Sequence, residues 1–245
     1  MVFNTLTKII LSPIYYLIHH NYFFGFIHKK FIKKFNYKDL SFDLNIEGIP
    51  IQNYSSYLFK TYEFNDRKLI EKHISKKNKS IILGGGLGFI PVLTYKQSNN
   101  EILVFEVNSS IIPNLKRNLT NNKVKFQIFN KNLVFEKTKN KYFYFTKDFL
   151  STSSKIKTNS KILIENLEKN KIKNFNNFNT MVIDIEGDED YYILNINKFK
   201  NIRYLFFELH HNIINNEKVS ELMDSLNDSN FYLKDKCFNS YYFER

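Results

Sequence analysis

The run Ile81-Ile82-Leu83-Gly84-Gly85-Gly86-Leu87-Gly88-Phe89 narrows the fold more than any other segment of the chain. A β-rich stretch breaks into glycine and then opens into a helical pattern, and four of the chain's seven glycines fall in this one turn. Glycine removes the Cβ penalty at the turn and lets backbone approach a ligand, while the following helix presents free N–H groups. A bland glycine turn is the alternative. Spacing separates cofactor classes: Gly84, Gly86 and Gly88 form G-x-G-x-G, whereas the dinucleotide fingerprint needs glycine at 89 or 91, which are Phe89 and Pro91. The next β-rich run ends in Glu106, where a carboxylate can accept hydrogen bonds from both ribose hydroxyls of an adenosine group.

Beyond residue 80 the pattern alternates between strands and helices, the signature of a mostly parallel α/β sheet. Strands are expected at Ser80–Leu83, Glu101–Glu106, Val124–Phe129, Met181–Ile185 and Ile202–Glu208. Helices are expected over 109–121, with Ser109 or Ser110 as N-cap, and over 217–229, with Val219, Leu222, Met223 and Leu226 on one side. Tyr142–Phe145 predicts an inserted strand, and Phe231–Leu233 with Tyr241–Phe243 predicts a closing hairpin. A chain of 245 residues buries one substantial core with a short appendage.

A second acidic cluster, Asp184-Ile185-Glu186-Gly187-Asp188-Glu189-Asp190, follows the core run Thr180–Ile183. Ligands of open α/β sheets bind outside the carboxyl ends of the strands. Asp184 and Glu186 share a side by period-2 alternation, and could orient a cationic cofactor, hold a substrate hydroxyl or act as a general base. Asp188–Asp190 reads as a solvated helix start. His210 ends the next strand region and titrates near neutral pH when unperturbed.

Residues 1–40 differ in character. Aromatic and aliphatic residues give way to Lys29, Lys30, Lys33, Lys34 and Lys38 interleaved with Phe31, Ile32 and Phe35, a helix with one cationic face. Such a helix either caps the domain or lies on anionic lipid. The apolar run Ile9–Ile18 is broken by Pro13 and followed by His19 and His20, so a spanning helix is not expected. The net charge of +12 comes almost wholly from Lys, and the scarcity of Arg argues against specific nucleic-acid readout. The single Cys237 suits a reducing compartment and reads as a bystander. The expected location is cytoplasmic, with peripheral contact at the inner face of the membrane through residues 1–40.

Together these segments resemble the FkbM family of S-adenosylmethionine (SAM)-dependent methyltransferases, many of which O-methylate sugars or other hydroxylated natural products. The likeness rests on Tyr54–Leu58 with Thr61-Tyr62-Glu63, on Leu83–Phe89, on Phe105-Glu106-Val107-Asn108, on Val182–Glu189 as a D-x-E-G-x-E block, and on Phe207-Glu208-Leu209-His210. The resemblance implies a Rossmann-like class I methyltransferase sheet of seven strands, mostly parallel, with a closing antiparallel hairpin. It divides the chain into a helical extension (1–40), a lead-in (41–79) and a catalytic domain (80–245). SAM is the implied cofactor, with Gly84, Gly86, Gly88, Glu106, Asn108 and Glu63 as its binding residues. Asp184, Glu186 and His210 are the implied catalytic set, acting on a small-molecule or glycan hydroxyl. No metal is called for, although clustered carboxylates could hold Mg²⁺. Ile82 stands where such loops carry an acid, and Gly86 where Asn is commoner. The alternatives are a membrane-surface methyltransferase acting on lipid or protein, and a non-catalytic glycan- or partner-binding protein that retains the fold.

Overall fold

The computed structural model describes residues 22–46, 49–145, 152–210 and 213–245. The start of the expected extension, with the run Ile9–Ile18, lies outside the described residues. Helix α1 spans Tyr22–Phe31, and strands β1 (Lys34–Tyr37) and β2 (Leu40–Asp43) pair antiparallel behind it. The helix expected to continue through the basic run therefore stops at Phe31. Alternation decides the change: Phe35, Leu40 and Phe42 are buried while Lys34, Asn36 and Ser41 are exposed. The hairpin crosses the expected boundary at residue 40, and both Phe35 and Phe42 pack on Phe89. Helices α2 (Tyr54–Leu58) and α3 (Phe64–His73) lead into the sheet.

The main sheet is built from β3 (Ser80–Leu83), β4 (Ile102–Phe105) and β5 (Phe126–Phe129), with α4 (Phe89–Ser98) and α5 (Ile112–Asn121) between them. An inserted region follows. It pairs β6 (Asn132–Val134) with β10 (Asn166–Glu168), and β7 (Lys141–Phe145) with β8 (Thr152–Ser153) and β9 (Lys161–Ile164). The sheet resumes with β11 (Thr180–Ile183), α6 (Glu189–Leu194), β12 (Tyr204–Glu208), α7 (Asn216–Asp228), β13 (Tyr232–Cys237) and β14 (Ser240–Glu244). Its seven strands run in the order β13-β14-β12-β11-β3-β4-β5, all parallel except where β14 pairs antiparallel with β12 and β13. This is the expected mostly parallel sheet with its closing hairpin.

Both faces of the sheet are covered, which is why its central strands read as continuous apolar runs. Ile82, Val104, Val182 and Phe206 face one core with Leu69, Leu93 and Leu115 from α3, α4 and α5. Ile81, Leu103, Met181 and Leu205 face the other with Ile193 of α6 and Leu222 of α7. The hairpin is held by α5: Asn118 and Asn122, one turn apart, exchange hydrogen bonds with the backbone of Asp43 and Ser41. No helix among the described residues is long and apolar enough to cross a membrane.

From β3 the chain steps outward to β4 and β5, then returns to place β11 and β12 on the opposite side. The crevice between the carboxyl ends of β3 and β11 is therefore the topological switch point, where open α/β sheets bind ligands.

Candidate active site

The glycine loop leaves β3 directly over this crevice. Gly84 has φ +88°, and a Cβ there would lie 1.8 Å from the Asp184 carbonyl oxygen. Glycine at 84 is thus demanded by the close approach of β11, and the residue also lines the cleft described below. Gly86 differs: φ is +49° and the nearest atom to a notional Cβ is the Tyr62 hydroxyl at 4.0 Å. Its surroundings are open, as an approaching ligand requires. Gly88 is the αL residue that starts α4, and Leu115 lies beside it.

Glu106 sits just past the end of β4 and is buried. Its Oε2 accepts the N–H groups of Gly85 and Gly86, each at 3.0 Å, and its Oε1 accepts that of Asn108 at 2.7 Å. Burial raises its pKa against the pull of these backbone donors. The carboxylate therefore shapes the glycine loop as well as facing the crevice, a duty that its sequence position alone did not signal. Asn108 is fully buried, and its side-chain oxygen accepts the Ser110 N–H at 3.1 Å, bracing the turn behind Glu106. Neither Ser109 nor Ser110 caps α5, whose N-cap is Ile111 with no side-chain cap bond.

A cleft opens beside these residues. Leu83, Phe105, Val107, Leu133, Phe143 and Tyr192 supply apolar walls, and Glu106, Asn132, Asp184 and Glu186 supply polar groups. The inserted β7 contributes Phe143, which explains why the strand alternation is interrupted at this point.

At the β11 and β12 end of the cleft, acidic side chains converge on one imidazole. His210 Nδ1 lies 2.5 Å from Glu189 Oε1, while its Nε2 lies 3.5 Å from Glu186 Oε2 and 3.8 Å from Asp184 Oδ1. Burial opposes the charge on His210, but Glu189, Asp184 and Glu186 together raise its pKa to about 10. With its pKa raised this far, the ring favours the imidazolium form at neutral pH. Asp184 is raised to about 7, first by burial and then by Asp66, with His210 pulling the other way. Glu208 is raised to about 9 by burial and by the charges of Asp184 and Asp66.

Glu63 reaches the same cluster from the turn before α3, in αL geometry at φ +47°. Burial and the nearby Asp184 charge hold its pKa well above the usual carboxylate range, although Tyr62 and the Ile90 N–H donate to it. Its Oε2 is buried and accepts no hydrogen bond. Glu63 thus lies beside Asp184, where the departure at Ile82 leaves the sheet itself without an acid.

The structure brings Asp184, Glu186, His210 and Glu63 into one cluster; Gly84 and Glu106 line the cleft beside it, and Gly86 is hydrogen-bonded to Glu106. Three participants escaped the sequence reading. Asp66 is buried on α3 and hydrogen-bonded to Glu208, which ends β12. Glu189 is not part of a solvated turn: it is fully buried, accepts the Gly187 N–H and orients His210. Asp188 is buried too, bonded to Lys141 and Ser154 of the inserted region. A distinguishing signal for Glu189 was present in the spacing of the D-x-E-G-x-E block; Asp66 had none. Ligand atoms of Asp184, Glu208 and His210 lie within 4.8 Å of one another, a set that could also hold a cation.

Comparison with known proteins gives fold-level likeness. No protein-family model and no curated protein sequence matches the chain. Among solved structures, the ribosomal protein L11 methylase of Lactobacillus delbrueckii subsp. bulgaricus is similar with a TM-score of 0.51 at 12% identity, over 86% of this chain and 98% of that one. TYW2 of M. jannaschii, solved in complex with AdoMet, gives 0.45 at 12% identity over 86% and 85%. An uncharacterized protein of Listeria monocytogenes serotype 4b gives 0.44 at 9% identity; 73% of this chain matches 64% of that chain's length. With the strand order above, the chain has the Rossmann-like α/β fold found in methyltransferases.

Proposed function

We propose that this chain is a SAM-dependent methyltransferase that methylates a hydroxyl oxygen of a sugar, glycan or related small molecule, in the manner of the FkbM family its motifs resemble. The observation that carries the reading is one cleft at the switch point, lined by Gly84, Glu106, Asp184 and Glu186, with His210 against the last two carboxylates.

The donor set fits such a cofactor. Apolar walls beside a carboxylate suit an adenosine, the open backbone at Gly86 suits close approach, and the surplus of acid suits a sulfonium and an ammonium group. Among the described residues, His210 is the only basic side chain in an ion pair with Asp184 or Glu189, and none pairs with Glu63 or Glu208. SAM, when bound, supplies an electrophilic methyl group. The chain's own residues then orient the acceptor and receive its proton. Asp184, with a pKa near 7, is matched to accept a hydroxyl proton as the new bond forms, a contribution of about 10²–10⁴-fold. His210, held by Glu189, offsets the negative charge around it and fixes the direction of the cluster. Glu186 faces the same ring and is the second candidate base.

A lipid or protein acceptor at a membrane surface is the second reading, favoured by the exposed aromatic and basic face of α1. The test is transfer of labelled methyl from SAM to a panel of hydroxylated sugars and lipids. Transfer to a sugar supports the first reading, and transfer to lipid alone selects the second. SAM binding without transfer to any acceptor would leave a non-catalytic binding protein.

A further inference from the structure

The outward face of α1 carries an unusual load. Tyr22, Phe23, Phe26 and Phe31 are 66%, 67%, 52% and 71% exposed, four large rings on a ten-residue helix. With about 3.6 residues per turn, Tyr22, Phe26, Lys29, Lys30 and Phe23 fall on one arc, and the buried Gly25 and His28 lie on the other side. The helix is firmly seated by that buried side. The His28 ring packs against Tyr54 and Tyr57 at 6.0 and 6.4 Å, and Phe24 meets Phe59 edge-on at 5.1 Å. The aromatic arc is therefore presented on a fixed support.

Its charge is one-sided. No acidic residue occurs between Tyr22 and Lys38, a stretch that includes five lysines. Lys30 Nζ lies 5.6 Å from the Phe26 ring centre and 5.5 Å from that of Phe31, so cation and rings share one surface. Among the described residues Lys29, Lys30 and Lys33 make no salt bridge. Lysine is depleted at the cores of protein–protein interfaces, and stretch 22–38 has no Arg to read a nucleic acid. Rings alternating with ammonium groups along a helix match the boundary between lipid headgroups and acyl chains, where aromatic bodies enter the apolar layer and amines meet phosphates.

We infer that α1 docks flat on an anionic lipid bilayer, with Tyr22, Phe23 and Phe26 in the headgroup boundary and Lys29 and Lys30 at the phosphates. This inference does not rest on the methyltransferase reading. The chain has no Trp, so a full-length Phe23→Trp protein carries one fluorescent reporter on the arc. Vesicles of phosphatidylserine and phosphatidylcholine should shift its emission to the blue, with the shift reversed as salt rises. Pure phosphatidylcholine vesicles should give little shift. Lys29→Ala with Lys30→Ala should weaken partitioning roughly 30-fold while leaving the circular dichroism spectrum intact. Three results would overturn the inference: no shift with anionic vesicles, emission already blue-shifted without lipid (the arc being covered by the chain or a second copy), or a larger shift with RNA than with vesicles.

Discussion

The two glycines at either end of Gly84–Gly86 should respond very unequally to alanine. A methyl group at Gly84 would sit 1.8 Å from the Asp184 carbonyl oxygen, and real Cβ atoms essentially never come within 3.0 Å of such a neighbour. The end of β11 must then retreat by about 1.2 Å or more, since packed cores do not absorb such an overlap elastically. That retreat strains the bond from the Asp184 N–H to the Leu83 carbonyl, now 3.0 Å. Leaving a buried backbone pair unsatisfied costs about 1–3 kcal/mol, and the positive φ adds about 1–2 kcal/mol for any residue with a Cβ. Gly84→Ala should therefore lose roughly 2–5 kcal/mol, a large part of the stability of a domain this size. Gly86→Ala meets no clash, its methyl group lying 4.0 Å from the Tyr62 hydroxyl, and should lose only the positive-φ cost of about 1–2 kcal/mol. Urea denaturation of both variants, with SAM binding of the second, makes the comparison. A Gly84→Ala protein within about 1 kcal/mol of wild type would refute the close approach of β3 and β11 on which the site is built.

Other consequences follow from the acidic cluster. Glu208 and Asp184 hold their protons more tightly when folded, with pKa values near 9 and 7, so the stability they contribute is present at acid pH and is lost as pH rises through those values. The imidazolium of His210, raised to about 10, acts in the same direction. Melting temperature should fall between pH 6 and pH 9, and Glu208→Gln should flatten that fall; a rise over the same range would contradict the burial of the cluster. Glu189→Gln replaces the carboxylate that faces His210 Nδ1 with a neutral amide, and loss of a charge-assisted bond of about 1.5–3 kcal/mol should lower the His210 pKa by roughly one to two units in an NMR titration. Asp184→Asn should cut turnover about 10²-fold or more with little change in melting temperature. If turnover stays near normal, Glu186 takes its place as the base.

Much of this arrangement was legible in the chain because it depends on local pattern. Ser80–Leu83 matches its strand, the other core strands end within a few residues of expectation, and the closing hairpin falls where Phe231–Leu233 and Tyr241–Phe243 place it. The glycine loop, Glu106 and the Asp184–His210 pairing follow from one rule, that ligands gather at the carboxyl edge of a parallel sheet. What escaped depends on contacts distant in sequence. Asp66 lies in Phe64–His73, a helix with no sequence signal that ties it to the site; only its packing beside β12 brings Asp66 to Glu208. Glu189 looks like a helix-start acid, and only the return of the chain at His210 shows that it is buried as a partner. The basic run after Phe31 fits a cationic helix by composition, but Phe35 and Phe42 find Phe89, and the asparagines of α5 supply β2 with backbone partners. The same tertiary logic adds strand packing against Asp184 to what Gly84 must satisfy.

The central claim is that the switch-point cleft binds SAM, and calorimetric titration of SAM into the full-length protein tests it most directly. Wild type should bind one equivalent. Glu106→Gln replaces an oxygen that accepts backbone N–H groups of the loop with an amide donor; it should weaken binding roughly tenfold or more while the protein stays folded. Absence of SAM binding to folded wild type, or undiminished affinity in Glu106→Gln, would contradict the account.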